Sequence, residues 1–111
     1  MPVIAKNIIP AKSAENTQTT QYVAVNVTTI IDKFTATNYS SGMVNLSVNL
    51  APPATATGNA NLIVKNKTLQ AGETYTFPEL VGHILPPDGF ISTLASAAAS
   101  VNIRASGREI S

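Results

Sequence analysis

Between Lys65 and Phe90 the sequence KNKTLQAGETYTFPELVGHILPPDGF gathers three of the chain's six carboxylates, Glu73, Glu79 and Asp88, and its only histidine, His83. Glu79 and His83 are four residues apart, so on a helical turn they would share a face and could begin a metal site. Zinc needs at least three protein ligands, the remaining carboxylates are scattered, and there is no cysteine. A glycosidase needs two carboxylates about 5–10 Å apart, one with a raised pKa. Glu73, however, falls in the turn AGET, where a solvated carboxylate at a strand entry is ordinary. No serine sits in a G-x-S-x-G elbow to work with His83, and the glycines form no Walker or dinucleotide fingerprint. The stretch therefore reads as architecture: a turn at QAGE, a strand TYTF, a helical turn PELVGH and a second turn PPDG. We expect no catalytic residue, no metal site and no cofactor, and a protein that is not an enzyme.

Arg104 and Arg108 are the only arginines. They could form strand-end ion pairs, or anchor a neighbouring subunit through the guanidinium fork. A net charge of +1 gives neither a footprint for nucleic acid nor a polybasic membrane patch. Six aromatic residues without a tryptophan make no base-stacking platform and weaken a sugar-binding reading. No apolar run has the length of a membrane span, and the first residues lack the apolar stretch of a signal peptide. The absence of cysteine fits synthesis in a cytoplasm.

Only 12% of the residues are charged, against about 25% in an ordinary chain, and none lies between Phe34 and Val64. Two readings compete: β-strands favour Thr at exposed positions, or this surface meets another protein, since interface cores are depleted in charge.

The elements that would position these residues follow period two. In VNLSVNL, Val44, Leu46, Val48 and Leu50 point one way and Asn45, Ser47 and Asn49 the other. TIIDKFTATN puts Ile30, Phe34 and Ala36 on one parity, and SVNIRAS separates Val101, Ile103 and Ala105 from Asn102 and Arg104. With NLIVKN, ETYTF, GFISTLAS and a segment near Gln21–Val27, about seven short strands alternate with Pro- and Gly-bearing turns. At 111 residues this makes one domain, large enough for a single core. The expected fold is all-β: an antiparallel β-sandwich, jelly-roll or immunoglobulin-like, over residues 21–111. Residues 1–20, with two proline-bounded apolar pieces, read as an extended N-terminal arm that a neighbouring subunit would tie down. Val3, Ile4, Ile8 and Ile9 are then the partner-binding clamp, together with Arg104 and Arg108.

The C-terminal half, NKTLQAGETYTFPELVGHILPPDGFISTLASAAASVNIRASGREIS, resembles a pattern of small β-sandwich virion proteins of tailed bacteriophages, used as decoration, neck or tail accessory subunits. Ala71, Gly72, Glu73, Gly82, Leu85, Gly89, Ile91, Ala95, Ser96, Val101, Gly107, Glu109 and Ile110 carry it, over somewhat under half of the chain. The chain departs from the pattern in placing Asp88 before Gly89 and in its proline-bounded start. The resemblance implies a non-enzymatic subunit, made in the bacterial host cytoplasm and repeated on the virion. In the first form it is a capsid decoration (cement) protein, a homo-oligomer, with a trimer favoured. It would sit on the major capsid protein or another virion protein, held by buried area and strand-edge hydrogen bonds. A neck or tail accessory subunit is the alternative within the class; a carbohydrate-binding or adhesive module lies outside it.

Overall fold

A computed structural model describes residues 2–111. Nine strands form: β1 (Val3–Ser13), β2 (Thr19–Val23), β3 (Thr28–Asn38), β4 (Val44–Ala51), β5 (Leu62–Leu69), β6 (Thr74–Thr76), β7 (Ile84–Leu85), β8 (Phe90–Ala95) and β9 (Val101–Ile110). They make two antiparallel sheets packed as a β-sandwich. Sheet A runs β1-β9-β3-β6, with β7 also paired to β3, and sheet B runs β2-β8-β4-β5.

The alternation legible in β4 and β9 sets the core. Val44, Leu46 and Val48 of sheet B face Val101, Ile103 and Ala105 of sheet A, all buried. Phe34 and Phe77 meet edge to face with ring centroids 5.3 Å apart, the arrangement their quadrupoles favour. On β3 the inward row differs from the expected one. Ile31, not Ile30, is buried, and Phe34 and Ala36 follow it, because a bulge between Ile31 and Lys33 adds one residue and shifts the parity.

The segment expected to leave the sandwich as an arm is instead the chain's own edge strand. β1 pairs with β9 from Val3↔Ile110 to Ser13↔Asn102. Two register shifts, on either side of Ile9, bring the consecutive residues Ile8 and Ile9 into the core. Those bulges and Pro10 hide a period-two pattern from the sequence.

The 65–90 stretch does build turns. Glu73 N–H closes on Gln70 C=O at 2.9 Å with Gly72 at φ +77°, which the third position of such a turn requires. The Glu73 carboxylate accepts Gln70 N–H at 2.7 Å. Past Phe77, residues 78–82 wind through i→i+3 hydrogen bonds around buried Leu80, and no longer helix forms. This turn interrupts one edge strand: β6 pairs with Thr35–Thr37 and β7 with Thr29–Ile30.

Part of the charge-free run has an internal explanation. Asn38, fully buried, donates to the carbonyls of Gly42 and Leu69 at 2.7 and 2.9 Å, while its Oδ1 accepts from Ser40. Asn49 donates to Asn61 Oδ1 at 2.7 Å, and Asn61 in turn holds Ala56 C=O and Gly58 N–H. The loop over residues 52–61 is thereby fastened across sheet B, and Ser47 and Asn49 are buried on the side of β4 that points away from the core. A charge there would be desolvated without a partner, so neutral amides and hydroxyls occupy those places.

Tyr22 of β2 ties the sheets together. Its hydroxyl donates to Glu109 Oε2 at 2.5 Å and lies 2.7 Å from Thr29 Oγ1. Burial first, and then the Glu109 carboxylate, push the phenol up to about 12 from its usual 10. The native state thus keeps a proton that the unfolded chain releases. The stability linked to Tyr22 is complete below about pH 10 and is lost as pH rises from 10 to 12. Tyr22→Phe should cost about 1–3 kcal/mol at neutral pH. It should also flatten the alkaline part of the profile; urea melts of both proteins at pH 9 and pH 11 give the comparison.

Candidate partner-docking face

The functional groups of the 65–90 stretch are used locally and are not brought together. Glu73 closes its turn, and Glu79 accepts from the Tyr75 hydroxyl at 3.0 Å. Asp88 takes φ +68° in the turn closed by Gly89 N–H on Pro86 C=O, and its own N–H donates to Ala24 C=O at 2.6 Å. His83 gives its backbone carbonyl to Ile31 N–H. Among the described residues no group of three or more His, Asp or Glu side chains gathers.

The outer face of sheet A brings exposed apolar residues and unpaired cations together on one surface. Because β1, β9, β3 and β7 lie in register, residues paired across them share a face. At one end Ala5↔Arg108↔Ile30↔Ile84 and Val3↔Ile110↔Thr28 form two outward rows. Val3 and Ile84 are 56% and 61% exposed, so these rows make an apolar end. Beyond the Asp32 bulge the rows become Lys33↔Ser106, Thr35↔Arg104 and Thr37↔Asn102. There a groove of about 570 Å³ opens over Lys33, Thr35, Thr37, Asn102 and Arg104, with Tyr39 at its end. The Tyr39 hydroxyl lies 2.7 Å from Ser13 Oγ, which fixes the ring in place.

The two arginines on this face are used differently. Arg108 is clamped by Asp32, with Nε 3.1 Å from both carboxylate oxygens and Nη2 2.9 Å from Oδ1. That carboxylate holds the guanidinium above its usual pKa. Among the described residues Arg104 donates only to the neutral Asn7 Oδ1, at 3.3 Å. Neither Arg104 nor Lys33 forms a salt bridge among the described residues. Of the apolar residues expected to clamp a partner, Val3 and Ile4 are exposed, whereas Ile8 and Ile9 are 4% and 0% exposed and belong to the core. A clamp through Ile8 and Ile9 is excluded while the sandwich is intact, because the bulges of β1 turn both inward.

Lys33, Thr35, Thr37 and Tyr39 form a surface row outside the expectations from sequence. Their signal is the alternation K-x-T-x-T-x-Y against Phe34, Ala36 and Asn38. The bulge at Asp32 disguises it when the strand is read from Ile30.

The sheet edges are poorly suited to strand addition. β1 has two register shifts and Pro10; β5 has two, with Lys65, Lys67 and a left-handed Asn66 at φ +50°. β2 is bulged between Thr20 and Tyr22, and the β6–β7 edge is broken at Pro78. Bulges, lysines and proline are the devices that keep an edge from pairing with another chain. Contact through strand-edge hydrogen bonds is therefore disfavoured, and contact through a face remains.

No helix among the described residues is long and apolar enough to cross a membrane. No protein-family model, no curated protein and no solved structure matches this chain.

Proposed function

We propose that this chain is a non-enzymatic structural subunit of a tailed-phage virion, a capsid decoration protein that docks on the major capsid protein through the outer face of sheet A. The observation that carries this reading is the face itself: a sheet surface with an exposed apolar end and two cations lacking counter-charges, on a sandwich whose edges are all guarded. Such a surface needs a partner, since exposed apolar residues grouped and bordered by polar ones mark interaction sites. The C-terminal resemblance to phage virion proteins points to the particle as that partner. Association into a trimer would repeat the face around an axis and multiply a modest single contact.

The strand order supports a jelly roll over an immunoglobulin-like sandwich. Apart from the β4–β5 hairpin and the interrupted β6–β7 edge, every connection passes from one sheet to the other. An immunoglobulin-like sandwich would keep several consecutive strands side by side in one sheet. The jelly roll is a common architecture of viral capsid domains, which agrees with the proposed place on the particle.

The test is co-sedimentation of the purified chain with particles of the phage that encodes it, stripped of this subunit. Saturable binding in many copies per head is the expected result. Binding confined to neck or tail in electron micrographs would move the subunit there, and a chain left in the supernatant overturns the reading.

A further inference from the structure

The groove on sheet A also constrains what can lie in it. It carries two cations, Arg104 and Lys33, that no carboxylate of the described chain neutralises. Two of the remaining cations, Lys6 and Arg108, are paired on the same sheet with Glu109 and Asp32. On this sheet the unmet charge therefore lies in the groove; Lys65 and Lys67, also without a carboxylate among the described residues, stand apart on β5 of sheet B. Thr35, Thr37 and Asn102 add hydroxyl and amide groups between and beyond the cations, and Tyr39 closes the end.

Resting on the docking face proposed above, we infer that the groove receives an extended acidic segment of the partner protein, with carboxylates two residues apart. Lys33 and Arg104 are diagonal neighbours on adjacent strands, since Lys33 pairs with Ser106 and Thr35 with Arg104. That places their Cα atoms about 7–8 Å apart. Alternate residues of an extended chain are about 6.6 Å apart and point the same way. A segment with Asp or Glu at alternate positions therefore presents one carboxylate to each cation. Arg104 is the selective member, because a guanidinium held only by a neutral amide at 3.3 Å is free to turn its fork onto a carboxylate. The apolar rows with Ile30, Ile84 and Val3 continue the same face, so apolar side chains beyond the acidic pair would also be accommodated. A phosphate backbone fits less well: nucleic-acid surfaces need a stripe of cations, whereas this face has two uncompensated ones on a chain of net charge +1.

The experiment titrates the full chain with an octapeptide alternating Glu and Thr, followed by amide chemical shifts. The controls are the same peptide with Gln for Glu, and oligodeoxythymidylate with an equal number of charges. The inference requires shifts centred on β3 and β9 around Thr35 and Arg104. It also requires binding at least tenfold weaker for Arg104→Gln, for the Gln peptide and in 0.5 M salt. Both Arg104→Gln and Lys33→Gln lie on the exposed face, so their melting curves should match the parent's. Equal binding of the Glu and Gln peptides, indifference to Arg104→Gln, or no binding at all overturns the inference, as does preference for the oligonucleotide. Co-sedimentation with particles separates the two proposals. A chain that binds particles but not the peptide keeps the virion reading and loses the acidic segment. A chain that binds the peptide but not particles does the reverse.

Discussion

Removing residues 1–12 is expected to unfold the domain instead of merely detaching it from a partner. The deletion takes away most of β1, which covers one edge of β9 through seven paired positions between Val3 and Ser13. It also removes Ile8 and Ile9, 4% and 0% exposed. Burial of two such side chains contributes about 3–6 kcal/mol, against a total stability of about 5–15 kcal/mol for a domain of this kind. The loss is compounded because β9, now an interior strand, would become an edge with unpaired backbone groups. Thermal melts by circular dichroism should show no cooperative transition, or one lowered by tens of degrees. A truncated chain that melts like the parent would mean that β1 is a detachable arm after all. The opposite expectation holds for Val3→Ser with Ile4→Ser. Both side chains are exposed, so stability should stay within about 0.5 kcal/mol, and any effect on attachment could be read without the complication of unfolding.

Gly107→Ala is expected to be the most damaging of the Gly→Ala changes in the chain. Gly107 faces Ile31 across the two central strands of sheet A, next to the bulge at Asp32. A Cβ at this position would run into the carbonyl oxygen of Ile30 and touch Ile8 Cδ1 at 3.4 Å. The obstacle is backbone, held in the ladder from both sides, so relief requires β3 and β9 to separate where the sheet is otherwise continuous. Overpacking a core costs about 1–3 kcal/mol, and a clash with a fixed carbonyl belongs at the upper end, near 3 kcal/mol. For a domain of this size that lowers Tm by about 10 °C or more. Gly42→Ala is the control: nothing lies within 4 Å of its Cβ, so its melt should be unchanged or slightly raised. Gly107→Ala within 0.5 kcal/mol of the parent would show that β3 and β9 do not approach this closely.

Much of the fold was legible where one residue alternates cleanly with the next. The rows of β4 and β9, the QAGE turn and the winding after Phe77 all follow from local spacing and turn chemistry. What escaped was governed by bulges. Ile8 and Ile9 are adjacent yet both inward, which no period-two pattern allows, so the sequence of this edge strand reads as that of an arm. The extra residue at Asp32 exchanged Ile30 for Ile31 in the core and hid the Lys33–Tyr39 surface row. The charge-free run was legible as unusual but not in its cause, because Asn49 is held by the loop through Gly58 and Asn61 and Ser47 by Asn66 of β5, contacts set only in three dimensions. Of the candidate site, Arg104 and Arg108 were visible as residues. Their difference was not, since it depends on Asp32 reaching one and, among the described residues, no carboxylate reaching the other.

The decisive measurement is co-sedimentation with stripped particles, carried out with variants on each sheet. Arg104→Glu and Ile84→Asp change the outer face of sheet A, and Ala60→Asp changes the exposed loop over sheet B. Docking through sheet A requires that the first two, folded as the parent, lose binding by at least tenfold while Ala60→Asp binds normally. Normal binding by Arg104→Glu and Ile84→Asp, or loss confined to Ala60→Asp, would place the contact elsewhere and contradict the assignment of this face.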